Sequence, residues 1–181
     1  IIPETSEYVR PCVKIEISSL SMDEPVETRT LRSFISEAVP DAEDMEIKFK
    51  TVIPTRTFLE KIFLLHEEFQ KKNPRSYRMS RHLYDIERIM DTSFGNEALK
   101  DLKLNDEIIA HRNIFNHIDG VDYSSHKHDR INFIPPAELI DDWRNDYNSL
   151  EKHFLYNSAT HLSFDQLLDR MLELLKRIRT M

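Results

Sequence analysis

The chain has 181 residues, enough for one domain with its own core, and 40% hydrophobic with 31% charged residues marks it as globular rather than disordered. Its net charge of −7 argues against coating nucleic acid by bulk charge and leaves room only for a local basic groove. Two isolated glycines, Gly95 and Gly120, exclude a glycine-rich phosphate loop within these residues, and the single Cys12 excludes a disulfide framework and a cysteine zinc site. No apolar run approaches the roughly 18 residues of a membrane helix, and no signal-peptide pattern opens the chain. A cytoplasmic protein with no membrane contact is expected.

In chain order, strands are predicted first. Val13, Ile15 and Ile17 alternate with polar residues, a second strand is predicted over Glu27 to Phe34 and a third over Glu46 to Ile53. Met22 to Pro25 reads as a turn, and Pro40-Asp41 as a break. From Pro54 the period becomes helical. The first helix carries Phe58, Ile62, Phe63 and Phe69 and stops by Asn73-Pro74. Ser80 reads as the N-cap of a second helix with Leu83, Ile86, Ile89 and Met90. A third runs from Glu97 to Asn116 with a break near Asn105, and Arg130 to Ile134 reads as a short strand or an extended piece. Pro135-Pro136 opens a helix with Ile140, Trp143, Tyr147, Leu150 and Phe154 on one stripe. Ser163 to Gln166 is a capping box for the last helix, whose stripe runs from Phe164 to Ile178. The fold class expected is α+β, with a strand-rich part over residues 1–53 and a helical domain over 54–181.

Several side chains could carry chemistry. Lys14 and Glu16 share the polar face of the first strand, where a carboxylate can ligate a metal or simply face water. Lys61 can hold a phosphate as a point charge or solvate its helix. Arg81 and Asp85 are four residues apart and can pair on one helix face. The histidines His126 and His128, two apart, and His111 and His117, six apart, do not match recurrent zinc spacings, although a histidine-dependent metal hydrolase around His126 is a competing reading.

The run from Pro54 to Glu68, with Lys61 inside it, resembles the third motif of the AbiEii/AbiGii toxin family of nucleotidyltransferases. Arg78 to Ile86, an arginine followed by Tyr84-Asp85, resembles the fourth. Ile131 to Pro136, Asp146-Tyr147 and Ser163 to Asp165 are similar to that family's C-terminal pattern. The resemblance implies a polymerase-beta-like core that transfers a nucleoside monophosphate from an NTP, with Mg²⁺, to an acceptor such as RNA, as the toxin of a toxin–antitoxin or phage-defence pair. It further implies that Glu16 is the neighbouring-strand carboxylate that binds metal, that Lys61 contacts nucleotide phosphate, and that Asp85 serves as base or electrostatic organiser. Arg81 would orient Asp85 or meet phosphate.

The Gly-Ser loop and the Asp-x-Asp pair of such cores are not found from Ile1 onward. The expectation is that both lie upstream, that this chain is the C-terminal part of the enzyme, and that it lacks turnover alone. The alternative is a non-catalytic helical module that binds an antitoxin or another protein; Lys61 and Asp85 pointing apart, or packed into unrelated ion pairs, would favour it. Lys71, Lys72, Arg75, Arg78 and Arg81 form the candidate patch for an RNA acceptor.

Overall fold

A computed structural model describes residues 25–33, 46–155 and 161–181, together with positions 15, 17, 22, 38 and 39. Within these the fold is α+β: a two-stranded antiparallel ribbon followed by six α-helices. Strands β1 (Val26–Leu31) and β2 (Ile47–Val52) pair with Val26 opposite Val52 and Leu31 opposite Ile47. That register puts Leu31, Ile47 and Phe49 on one face, and all three are exposed. The first expected strand falls largely outside the described residues. Its two described positions, Ile15 and Ile17, are exposed and belong to no strand.

Ile53 is extended, as a residue before proline must be, and Pro54 opens α1 (Pro54–Glu68). Helix α1 ends at Glu68, five residues before Asn73. Helix α2 (Ser80–Met90) begins at Ser80 itself, with Met79 as a cap residue that offers no side-chain bond. The stretch expected as one interrupted helix is two: α3 (Ser93–Lys100) and α4 (Leu102–Phe115). The break falls at Asp101 rather than Asn105, because the Asp101 carboxylate accepts the Leu104 N–H and caps the new helix. The Arg130–Ile134 stretch carries no strand. After Pro136 comes a 3-10 turn, then α5 (Ile140–His153), so Phe154 terminates the helix and is exposed. The Ser163–Gln166 capping box is present at the start of α6 (Phe164–Arg179).

One apolar core binds the helices. Phe58, Ile62 and Leu65 of α1 meet Leu83, Ile86 and Met90 of α2, Trp143, Tyr147 and Leu150 of α5, and Leu167, Met171, Leu174 and Ile178 of α6. Each of the larger apolar chains contributes about 1.5–3 kcal/mol by leaving water. Helix α2 is central, touching α1, α3, α5 and α6. At its C-terminal end Gly95 allows α3 to cross closely, since a Cβ there would come within 2.5 Å of the Ile89 carbonyl oxygen. No helix among the described residues is long and apolar enough to cross a membrane.

Candidate active site

The seam between α1 and α2 positions the two motif residues. Positions 58, 62 and 65 of α1 turn into the core, which leaves Lys61 on the flank of that stripe, 21% exposed. On α2, Leu83 and Ile86 are buried and Asp85 lies beside them at the edge. The Lys61 Nζ reaches Asp85 Oδ2 at 2.7 Å. The pair lies in a cleft of about 390 Å³ lined by Lys61, Arg78, Arg81, His82, Tyr84 and Asp85, with Leu150 and Phe154 as its apolar wall. Among the described lining residues are three cationic side chains and one carboxylate, a set that suits a polyanion.

Arg81, four residues from Asp85, is exposed and makes no ion pair with it among the described residues; a lysine from the neighbouring helix takes that role. Thus the expected Arg81–Asp85 pair is replaced by an interhelical one, and Arg81 is left turned to the cleft. His82, to which the sequence assigns no role, lines the same cleft as these cations. Burial first, then the charges of Lys61, Arg81 and Arg75, hold its pKa down at about 3. The imidazole is therefore neutral at physiological pH, and its buried Nδ1 has no hydrogen-bond partner among the described residues.

The N-terminal end of α2 is held from outside. Asp146 of α5, 8% exposed, accepts the Arg78 N–H at 2.5 Å, the Ser80 N–H at 2.9 Å and the Ser80 hydroxyl at 2.5 Å. Arg78 adopts φ of +57°, the only non-glycine residue in the left-handed region among those described.

Two further charge clusters anchor α1. Glu67 is buried; its carboxylate accepts two hydrogen bonds from Arg112, at 2.6 and 2.5 Å, and lies 3.2 Å from His126 Nε2. Burial alone would raise its pKa; Arg112 and His126 reverse that and hold it below the ordinary range. His126 stacks on Tyr123 and meets His66 edge to face. Its ring is thus part of a buried polar cluster with Glu67, Arg112 and His66, and the described residues contain no group of three or more ligating side chains that could hold a metal. Glu68 is also buried and binds Lys71 at 2.6 Å and Arg75 at 2.7 Å, which, against the effect of burial, bring its pKa down to about 2. Two of the five cations expected to form an RNA patch, Lys71 and Arg75, therefore share one buried carboxylate, which offsets one of their two charges.

Glu16, the expected metal carboxylate, lies outside the described residues. Among the described residues the cleft offers one carboxylate, Asp85, already tied to an ammonium group; a magnesium ion, which takes one or two carboxylates and completes its octahedron with phosphate oxygens and water, would need a further ligand from elsewhere.

The family model for the nucleotidyl transferase AbiEii toxin of type IV toxin–antitoxin systems matches residues 1–170. No curated protein and no solved structure matches. With the match spanning nearly the whole sequence, the chain belongs to the AbiEii nucleotidyltransferase toxin family.

Proposed function

We propose that the α1–α2 cleft is the phosphate-binding side of a nucleotidyltransferase active site, with NTP as donor and an RNA as acceptor. The observation that carries this is the 2.7 Å contact of Lys61 with Asp85 inside a cation-lined cleft, in a chain of the AbiEii family. In the reaction the acceptor hydroxyl oxygen forms a bond to the α-phosphorus, the bond from the α-phosphorus to the bridging oxygen breaks, and pyrophosphate leaves. Lys61 and the Arg78 and Arg81 guanidinium groups offset the charge of the triphosphate, the largest electrostatic demand of phosphoryl chemistry. Asp85 acts as base or electrostatic organiser: once phosphate draws Lys61 away, its carboxylate is free to take the proton of the acceptor hydroxyl.

Magnesium is the cofactor the family implies, and Glu16 is our candidate among its ligands. We take residues 1–53 as part of the nucleotidyltransferase core and 54–181 as the helical domain. The full reaction, in this reading, needs a Gly-Ser loop and an Asp-x-Asp pair in addition to these 181 residues. A cytoplasmic toxin, opposed by a cognate antitoxin and acting in phage defence, completes the assignment. The interaction-module reading is favoured where Lys61 and Asp85 point apart or are packed into unrelated ion pairs; their contact with each other in one cleft supports the catalytic reading instead.

The test separates binding from transfer. Equilibrium dialysis of the chain with labelled NTP should show binding that Lys61→Ala weakens about tenfold or more and Asp85→Ala preserves. In the complete toxin polypeptide with magnesium and RNA, Asp85→Ala should abolish transfer while circular dichroism is unchanged. Binding insensitive to Lys61, or loss of fold in both variants, overturns the assignment. Robust transfer by the 181 residues alone overturns the requirement for the additional motifs.

A further inference from the structure

We infer that Asp146 is a positioning residue for the cleft: it clamps the start of α2 so that Arg78, held in a left-handed backbone conformation, presents its side chain beside Lys61 and Arg81. This rests on the assignment of the cleft as a triphosphate site.

The free N–H groups at the start of a helix are normally capped by the residue that precedes it. Met79 has no side chain for this. A carboxylate 66 residues later does the work, through the Ser80 N–H and hydroxyl on one oxygen and the Arg78 N–H on the other. The negative charge also sits favourably against the positive end of the α2 dipole. Left-handed φ at a residue with a side chain persists only where the surroundings over-determine it. Here the Arg78 N–H is fixed by Asp146, and two residues on, both polar groups of Ser80 are fixed by the same carboxylate. The turn between them is held at both ends. Arg78 lines the cleft, whereas Asp146 lines a separate hollow with Ser76, Tyr77 and Asn145. Asp146 therefore acts through Arg78 and α2, not on the ligand.

The sign of the effect distinguishes this role from simple electrostatics. Removing a carboxylate near a cationic cleft should strengthen anion binding. Loss of the clamp should weaken it, because the left-handed turn relaxes and Arg78 leaves the cleft.

The probe is inorganic tripolyphosphate, titrated calorimetrically into the chain. Asp146→Asn, which keeps shape but has only one acceptor oxygen and so cannot hold both Arg78 and Ser80, should weaken binding about tenfold, and Ser80→Ala, milder and charge-neutral, about threefold. In an Arg78→Gly background, where glycine takes the left-handed turn without strain, Asp146→Asn should change binding by less than about twofold. A purely structural role would give the same loss with or without Arg78. Unchanged or tighter binding in Asp146→Asn, or full additivity with Arg78→Gly, overturns the clamp and leaves the triphosphate site standing. Absence of tripolyphosphate binding by the wild-type chain overturns the site, and the clamp with it.

Discussion

Replacing Arg112 by methionine isolates the ion pair that pins the C-terminal turn of α1. The methionine stem retains much of the aliphatic packing while the guanidinium is lost. It leaves Glu67, 1% exposed, without its two hydrogen bonds at 2.6 and 2.5 Å. Breaking a buried pair from one side costs about 3–5 kcal/mol, because the remaining charge stays desolvated. His126 Nε2, at 3.2 Å, still faces the carboxylate and sets the expected loss at the lower end, about 3 kcal/mol. For a chain of this size that corresponds to a fall in Tm of roughly 6–12 °C. The assay is urea unfolding followed by helical circular dichroism at pH 7. Adding Glu67→Gln should return about half of the loss, since the stranded charge is gone.

The pH dependence has a definite sign. In the wild type the Glu67 carboxyl is held below its ordinary value of 4.5, so its contribution is present above that value and fades as pH falls through the folded-state pKa. In Arg112→Met only His126 still opposes burial, so the carboxyl rises from its wild-type position and the deficit should shrink on acidification. A loss under about 1 kcal/mol, or a double variant no better than the single one, would refute the reasoning.

Two other expectations are independent of this pair. With its folded-state pKa near 3 against an ordinary 6.5, His82 favours the folded chain only while neutral, so its effect on stability is a decline as pH falls from 6.5 toward 3; its imidazole NMR signal should not titrate between pH 8 and 5, and a midpoint near 6.5 would show that the ring is solvated. Gly95→Ala would drive a Cβ to 2.5 Å from the Ile89 carbonyl oxygen and 2.8 Å from that of Met90, both backbone atoms, and should cost about 1–3 kcal/mol in denaturant unfolding; a neutral result would mean that α3 shifts freely.

The sequence carried the helices because their apolar residues repeat at helical spacing, and it carried Lys61 and Asp85 because both lie in motif-like runs. Their contact was legible only through the resemblance, since nothing in a one-dimensional pattern brings residues 61 and 85 together. The expected Arg81–Asp85 pair followed the i,i+4 rule correctly, yet a partner from another helix won, as tertiary contacts override local ones. Asp101 and Thr92, both capping residues by type, could have located the α3 and α4 starts. Arg78, His82 and Asp146 were harder. A depressed histidine, a left-handed arginine and a cap supplied from 66 residues away all arise from chain proximity in space and leave no local periodicity.

The β1–β2 ribbon, open on the face of Leu31, Ile47 and Phe49, has a practical consequence for every measurement above. Two exposed strands gain little from burial and are marginal on their own. They form a low-stability unit that opens well before the helical core and separately from it. Melting curves read from helical signal therefore register the core alone and are silent about the ribbon. Amide hydrogen exchange, fast in residues 26–31 and 47–52 and slow in α1 and α2, is the observable that sees both tempos in one experiment.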